Sequence, residues 1–102
     1  MLGTWHGELH QRGLAPFQLK VTVGSLSNST ANRVHYSGLG CGGRWTYLGT
    51  IGETVRFREV IDSGRSATCK GTGEVTLMRA GSRLRFRFSG GGVVSRGLLA
   101  RG

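Results

Sequence analysis

The chain has 102 residues, and its 19 glycines lie between apolar stretches rather than in one block. A chain of this length forms one domain with a single core, which excludes multidomain architectures and large α/β enzymes. With 14 basic and 5 acidic side chains, the formal net charge is +9, so we expect attraction to anionic partners. No apolar run is long enough for a transmembrane segment, and the first residues lack the basic-then-apolar order of a signal peptide.

Apolar and polar residues alternate with a period of two along nearly the whole chain, which predicts β-strands. The clearest strands run from Pro16 to Gly24 and from Arg83 to Phe88. Weaker strands show the same pattern in six further segments: Gly3 to Gln11, Thr30 to Tyr36, Arg44 to Thr50, Thr54 to Ile61, Glu74 to Ala80 and Val93 to Arg101. Turn-forming residues separate these segments. The sequence therefore predicts an all-β fold, an eight-stranded antiparallel up-and-down barrel.

The two cysteines, Cys41 and Cys69, fall in the third and fifth of the predicted connections. Connections alternate between the two ends of a meander, so both thiols are expected at the same end. A disulfide between them would stabilise the fold by about 3 to 4 kcal/mol and would imply an oxidising compartment. The alternatives are two buried free thiols in a cytosolic protein, or a zinc site that a histidine completes: His6, His10 or His35.

One charged residue shares the parity of an apolar face. Glu59 is in phase with Phe57 and Ile61, whereas the arginines beside it take the opposite face. A carboxylate inside a barrel requires donors or a cation, so we expect either a ligand-orienting group near the mouth or a structural anchor for the turn amides around Ser63 and Gly64. Aromatic residues of the same interior either line a ligand pocket with Glu59 or fill the space: Trp45, Tyr47, Tyr36 and Phe57.

The outward faces of the fifth and seventh strands carry a predicted arginine stripe: Arg56, Arg58, Arg83, Arg85 and Arg87. Such a stripe indicates either a solvated face or a site for an extended polyanion, whose binding weakens steeply with salt. Anionic lipid and cell-surface polymers fit this description. Nucleic acid fits it less well, because the phenylalanines of these strands face inward and leave no exposed aromatic platform for base stacking.

The sequence does not indicate catalytic residues. It contains no G-x-S-x-G, and neither cysteine has an obvious base beside it. His6 and His35 take the outward parity of their strands, and only Glu59 and Asp62 are expected to lie close enough for a carboxylate pair. We therefore expect a non-enzymatic protein that uses no cofactor and no metal ion.

The chain begins with the G-x-W sequence Gly3-Thr4-Trp5, and its last strand ends in Arg101. These features resemble lipocalins, eight-stranded barrels that hold small apolar ligands. The resemblance implies a structural contact between Trp5 and Arg101 at the closed end, where a cation over an indole contributes about 0.5 to 2 kcal/mol. It also implies a small apolar or amphipathic ligand in the barrel.

A second pattern covers most of the chain: Trp5-x-Gly7, Tyr36-x-x-Leu39-Gly40-Cys41-x-Gly43-x-Trp45, Phe57-x-Glu59-x-Ile61-x-x-Gly64, Cys69, Gly73-x-Val75-x-Leu77 and Gly97-x-Leu99. It resembles a domain of actinobacterial extracytoplasmic proteins, including lipoproteins and the outer segments of membrane-anchored serine/threonine kinases. The resemblance implies an extracytoplasmic location, a barrel and a disulfide. Residues 1–102 would then be one domain of a longer extracytoplasmic or membrane-anchored protein and act as a ligand-binding or sensor module.

Overall fold

The computed structural model describes residues 1–69 and 71–102, and in them it contains eight β-strands and one short 3₁₀ helix. The strands are β1 (Gly3–Gln11), β2 (Phe17–Val23), β3 (Asn32–Ser37), β4 (Cys41–Ile51), β5 (Thr54–Ser63), β6 (Thr72–Ala80), β7 (Arg83–Gly90) and β8 (Val93–Arg101). Each strand pairs antiparallel with the next, and β8 pairs with β1 to close the sheet. The predicted eight-stranded up-and-down barrel is confirmed.

The prediction for the third strand was wrong at its beginning. Thr30 and Ala31 belong to the 3₁₀ helix Ser29–Ala31, and β3 begins only at Asn32. The buried Asn32 side chain explains this local structure, because its Oδ1 accepts hydrogen bonds from the backbone N–H groups of Gly24 and Ser25, each at 2.9 Å. The Asn32 side chain thus supplies an acceptor for two backbone N–H groups in the connection between β2 and β3.

Alternate side chains point into the barrel, as the period-two pattern predicts. In β2 every second residue from Phe17 to Val23 is buried, and the residues between them are exposed. Large aromatic side chains fill the middle of the interior: the Trp45 ring lies 5.3 Å from that of Phe57 and stacks on Phe86 at 6.0 Å. Burial of such side chains is the main favourable term for a domain of this size.

The two ends of the barrel differ. At the end where β1 begins, which we call the base, the Arg101 guanidinium lies 4.2 Å from the ring centroid of Trp5 and donates a hydrogen bond to the backbone carbonyl of Leu2 at 2.8 Å. The Trp5 indole N–H donates to the carbonyl of Met1 at 2.8 Å. These contacts close the base, and the opposite end, which we call the mouth, holds the site described below.

Barrel closure depends on small residues where β1 meets β8. A Cβ atom on Gly7 would lie 2.2 Å from the carbonyl oxygen of Leu98, and a Cβ atom on Gly97 would lie 2.4 Å from that of Glu8. Both distances are far shorter than van der Waals contact, so the two strands approach this closely only because both positions lack a side chain.

The predicted disulfide between Cys41 and Cys69 is confirmed, with the two Cα atoms 6.5 Å apart. Cys41 is the first residue of β4 rather than part of the preceding connection, which corrects the sequence prediction. Cys69 lies in the connection between β5 and β6 at the mouth. The bond thus ties that connection to the barrel wall, and it indicates folding in an oxidising environment.

Candidate functional site at the mouth of the barrel

A cavity of about 50 Å³ opens at the mouth. Its walls are mostly apolar, and Phe17, Leu39, Ile61 and Phe88 contribute to them. Pockets for drug-sized ligands measure roughly 300 to 1,000 Å³. This cavity therefore accommodates a group of a few heavy atoms, or one end of a larger molecule.

Glu59 lies on the wall of this cavity and is only 3% exposed. Its Oε1 atom accepts two hydrogen bonds, from the Tyr36 hydroxyl at 2.5 Å and from the Trp45 indole N–H at 3.0 Å. In residues 1–69 and 71–102, no side-chain donor bonds its Oε2 atom. Within this part of the chain, the second carboxyl oxygen has no protein donor.

Burial raises the pKa of Glu59 above its usual value, and the hydrogen bonds from Tyr36 and Trp45 counteract only part of this effect. The pKa of Tyr36 is raised well above its usual value, first by burial and then by the neighbouring carboxylate. The Tyr36 hydroxyl therefore stays protonated and donates to Glu59, and burial favours the uncharged form of the carboxyl group more than water does.

The structure brings together some of the predicted interior residues and separates others. Glu59, Tyr36 and Trp45 form one hydrogen-bonded group, and Tyr36 and Glu59 line the cavity. Phe57 packs against Trp45 below the cavity. Tyr47 packs edge-on against Phe57 at 6.0 Å and its hydroxyl is 2.6 Å from that of Thr50, so it lies towards the base. The predicted anchoring of Glu59 to turn amides is wrong, because its partners are the two aromatic side chains.

A second polar point on the cavity wall was not predicted. The Ser95 hydroxyl donates a hydrogen bond to Oε1 of Gln11 at 2.6 Å, and both residues line the cavity. The sequence did hold a signal for this pair, because Gln11 shares the inward parity of Leu9, and Ser95 shares that of Leu99. The cavity thus combines apolar walls with a carboxyl group and a neutral polar pair.

The disulfide-linked connection forms one side of the cavity. Ala67, Thr68 and Cys69 line it, opposite Gly90 and Val93 of the hairpin between β7 and β8. Because the bond to Cys41 fixes this connection, it also fixes the width of the mouth. Reduction of the disulfide would release one wall of the cavity.

The predicted arginine stripe is present on the outer face, with one change. The guanidinium of Arg56 donates two hydrogen bonds, each 3.1 Å long, to the carboxylate of Glu74, which lowers the pKa of that carboxyl group. Arg58, Arg83, Arg85 and Arg87 are exposed. Arg87 lies directly opposite Arg96 of β8. Like charges paired across two strands are unfavourable, so this pair favours a bound anion.

In the part of the chain that the structure describes, no group of three His, Cys, Asp or Glu side chains is close enough to hold a metal ion. Within the same residues, no helix has the length and the apolar character needed to cross a membrane.

No protein-family model, curated protein sequence or solved structure matches this chain.

Proposed function

We propose that this protein is a non-enzymatic ligand-binding or sensor module whose site is the mouth cavity. The observation that carries the proposal is the Glu59 carboxyl group, which is buried on an apolar cavity wall and held through one oxygen by Tyr36 and Trp45. Among the described residues no fully buried side-chain nitrogen or oxygen lacks a hydrogen bond, so Oε2, which has no protein donor, is accessible from the cavity. A ligand donor that reaches Oε2 would add a charge-assisted hydrogen bond.

The ligand class follows from the size and polarity of the cavity. A small molecule, or the tip of a larger amphipathic molecule, would place its apolar part between Phe17, Ile61 and Phe88 and its polar group against Glu59. A hydrogen-bond donor such as an amine or a hydroxyl group would pair with the ionised carboxylate. Binding of this kind involves no bond making or breaking.

An extracytoplasmic location belongs to the same proposal. The disulfide supports it, because such bonds persist in oxidising compartments and are rare in the cytosol. The resemblance to lipocalins and to the extracytoplasmic domains of actinobacterial lipoproteins and kinases supports a sensor role for the domain within a longer protein.

Two indole N–H groups provide a direct test by NMR. The Trp45 indole bonds Glu59, whereas the Trp5 indole bonds Met1 at the base. A library of small amines, alcohols and amphipathic molecules is titrated into ¹⁵N-labelled protein. A ligand in the mouth cavity shifts the Trp45 indole resonance and leaves that of Trp5 in place.

Substitutions then assign the site. Glu59→Gln is expected to weaken binding, and so is Val93→Phe, which narrows the cavity. The matched control is Glu53→Gln, which removes the same charge from an exposed turn at the base. A ligand that binds the Glu59→Gln protein with unchanged affinity would remove this site from the proposal.

A second candidate function is polyanion binding by the outer arginines, which the opposed pair Arg87 and Arg96 favours. Charge reversal at Arg85 and Arg87 should then abolish binding to heparin or nucleic acid, and the affinity should fall steeply with salt. Binding that survives the reversal would refute this candidate.

A further inference from the structure

The outer wall of the barrel carries a groove of about 300 Å³ across strands β2 to β5. Strand register explains why the wall is hollow there. Lys20 is paired with His35, His35 with Gly42, and Gly42 with Ser63, and all four residues line the groove. Because the third of these positions has no side chain, the backbone at Gly42 forms the floor, and the side chains of the other three stand around it.

Two polar side chains face each other across Gly42. A Cβ atom on Gly42 would lie 3.5 Å from the hydroxyl oxygen of Ser63 and 3.6 Å from Nδ1 of His35. A ligand group above the glycine is therefore within reach of both. The Ser63 hydroxyl donates to the Gly42 carbonyl at 3.5 Å, which is the long limit of a hydrogen bond. A closer acceptor in the groove would displace this weak contact.

The wall around the groove has an excess of positive charge. Arg33, which also lines the groove, donates two hydrogen bonds to the carboxylate of Asp62, at 2.7 and 3.0 Å. Arg44 lies 3.6 Å from the same carboxylate. Among the described residues, the Lys20 ammonium has no carboxylate within 4.0 Å. Three cations thus face one carboxylate, and an anion in the groove would meet the unpaired ammonium.

We propose that this groove binds a phosphate or sulfate group, either free or carried by a small ester. The Lys20 ammonium, the Ser63 hydroxyl and the His35 imidazole would donate to its oxygens. These donors converge from three different strands, and a tetrahedral anion offers a separate oxygen to each. The volume of the groove leaves room for the carbon atoms of an ester.

The groove is separate from both sites discussed above. It lies on the outside of the barrel, so its ligand does not enter the mouth cavity. Its central strand, β3, lies four strands from β7 in the closed sheet, and the arginines of β7 are therefore on the opposite wall. The proposal depends neither on a ligand at Glu59 nor on a polyanion at the arginine stripe.

The three histidines report where an anion binds. His35 lines the groove, the His6 ring lies against Gly102, and His10 lies opposite Arg96 on the arginine-rich wall. Inorganic phosphate, methyl phosphate and methyl sulfate are each titrated into the full chain at constant pH and ionic strength, with chloride as the control anion. The imidazole resonances are followed by NMR.

We expect the His35 resonances to shift and those of His6 to stay in place. A shift with inorganic phosphate identifies the free anion as a ligand, and a shift with either methyl compound identifies an ester. Absence of a His35 shift with all three anions would overturn the proposal. Larger shifts at His10 than at His35 would also overturn it, because they would place the anion on the arginine stripe.

Substitutions of exposed side chains assign the donors. Lys20→Gln should weaken the binding of inorganic phosphate about tenfold, since a hydrogen bond to an ionic group is stronger than one between neutral groups. Ser63→Ala should weaken it about fivefold. The matched control, Arg85→Gln, removes one positive charge from the opposite wall, and screening by salt should keep its effect below about twofold. Equal losses from Lys20→Gln and Arg85→Gln would overturn the groove, because overall charge alone would then attract the anion.

Discussion

Replacing Glu59 by leucine and by glutamine should have opposite consequences for stability. In the Glu59→Leu protein, the Tyr36 hydroxyl and the Trp45 indole N–H lose their shared acceptor. A buried donor without a partner costs about 1 to 3 kcal/mol, so the two together cost about 2 to 6 kcal/mol. Burial of the leucine side chain returns about 1.5 to 3 kcal/mol. The expected net loss is roughly 2 kcal/mol in the free energy of unfolding below pH 4.5, where the carboxyl group of the natural protein is uncharged and burial of a charge does not enter the comparison.

Glutamine keeps an acceptor oxygen for both donors and removes the ionisable group. Burial raises the pKa of Glu59 in the folded protein above the ordinary value of 4.5, so the folded state binds this proton more tightly than the unfolded state does. The stabilisation from this group is therefore fully present below pH 4.5 and is lost as the pH rises through the folded-state pKa. The Glu59→Gln protein should gain stability relative to the natural sequence over that pH interval.

Urea denaturation at a series of pH values measures both effects. The fluorescence of Trp45 reports on the core, and the difference between the natural protein and the Glu59→Gln protein isolates this carboxyl group. Asp62 and Glu74, whose pKa values are lowered by Arg33 and Arg56, are the same in both proteins and cancel. The reasoning fails if Glu59→Leu unfolds at the same urea concentration as the natural protein, or if the stability difference for Glu59→Gln is independent of pH.

Three further predictions concern the scaffold. Replacement of Cys41 and Cys69 by serine should lower the free energy of unfolding by about 3 to 4 kcal/mol in urea titrations, and an unchanged midpoint would show that the bond adds nothing. Gly97→Ala places a Cβ atom against a backbone carbonyl of β1 and should lower the free energy of unfolding by about 1 to 3 kcal/mol. An unchanged melting temperature would show that β1 and β8 can move apart without loss of stability. Arg101→Gln removes the cation over the Trp5 indole at the base. It should lower the free energy of unfolding by about 0.5 to 2 kcal/mol and change the Trp5 fluorescence. Unchanged stability and fluorescence would show that this contact does not stabilise the fold.

The fold was predictable because the period-two pattern is strong in nearly every strand. In a closed meander one face of every strand is buried, so the position of an apolar residue in the alternation predicts whether its side chain points into the barrel. The errors fall where this signal is weak. Thr30 and Ala31 precede a strand whose start is set by the buried amide of Asn32, and parity carries no information about an asparagine that bonds a turn.

The partners of Glu59 were harder to predict than its burial. Parity placed Glu59, Trp45 and Tyr36 in the same interior, but contact depends on register. Glu59 lies directly opposite Trp45 because β4 and β5 shift register between Tyr47 and Gly49, on the side of the turn that joins them. A one-residue slip would turn one of the two side chains outward. The Tyr36 hydroxyl reaches the same oxygen from β3, two strands away, across an interior whose width no local pattern encodes.

The two ends of the barrel differ in structure. At the mouth, the disulfide holds the connection between β5 and β6 beside a cavity. The Glu59 carboxyl group lies on the wall of this cavity, and its Oε2 atom has no donor among the described residues. At the base, Trp5 and Arg101 close the barrel, and the apolar residues that remain outside are not needed for its core. A ligand at the mouth is therefore expected to shift the Trp45 indole resonance, whereas the Trp5 indole, bonded to Met1, reports on the base.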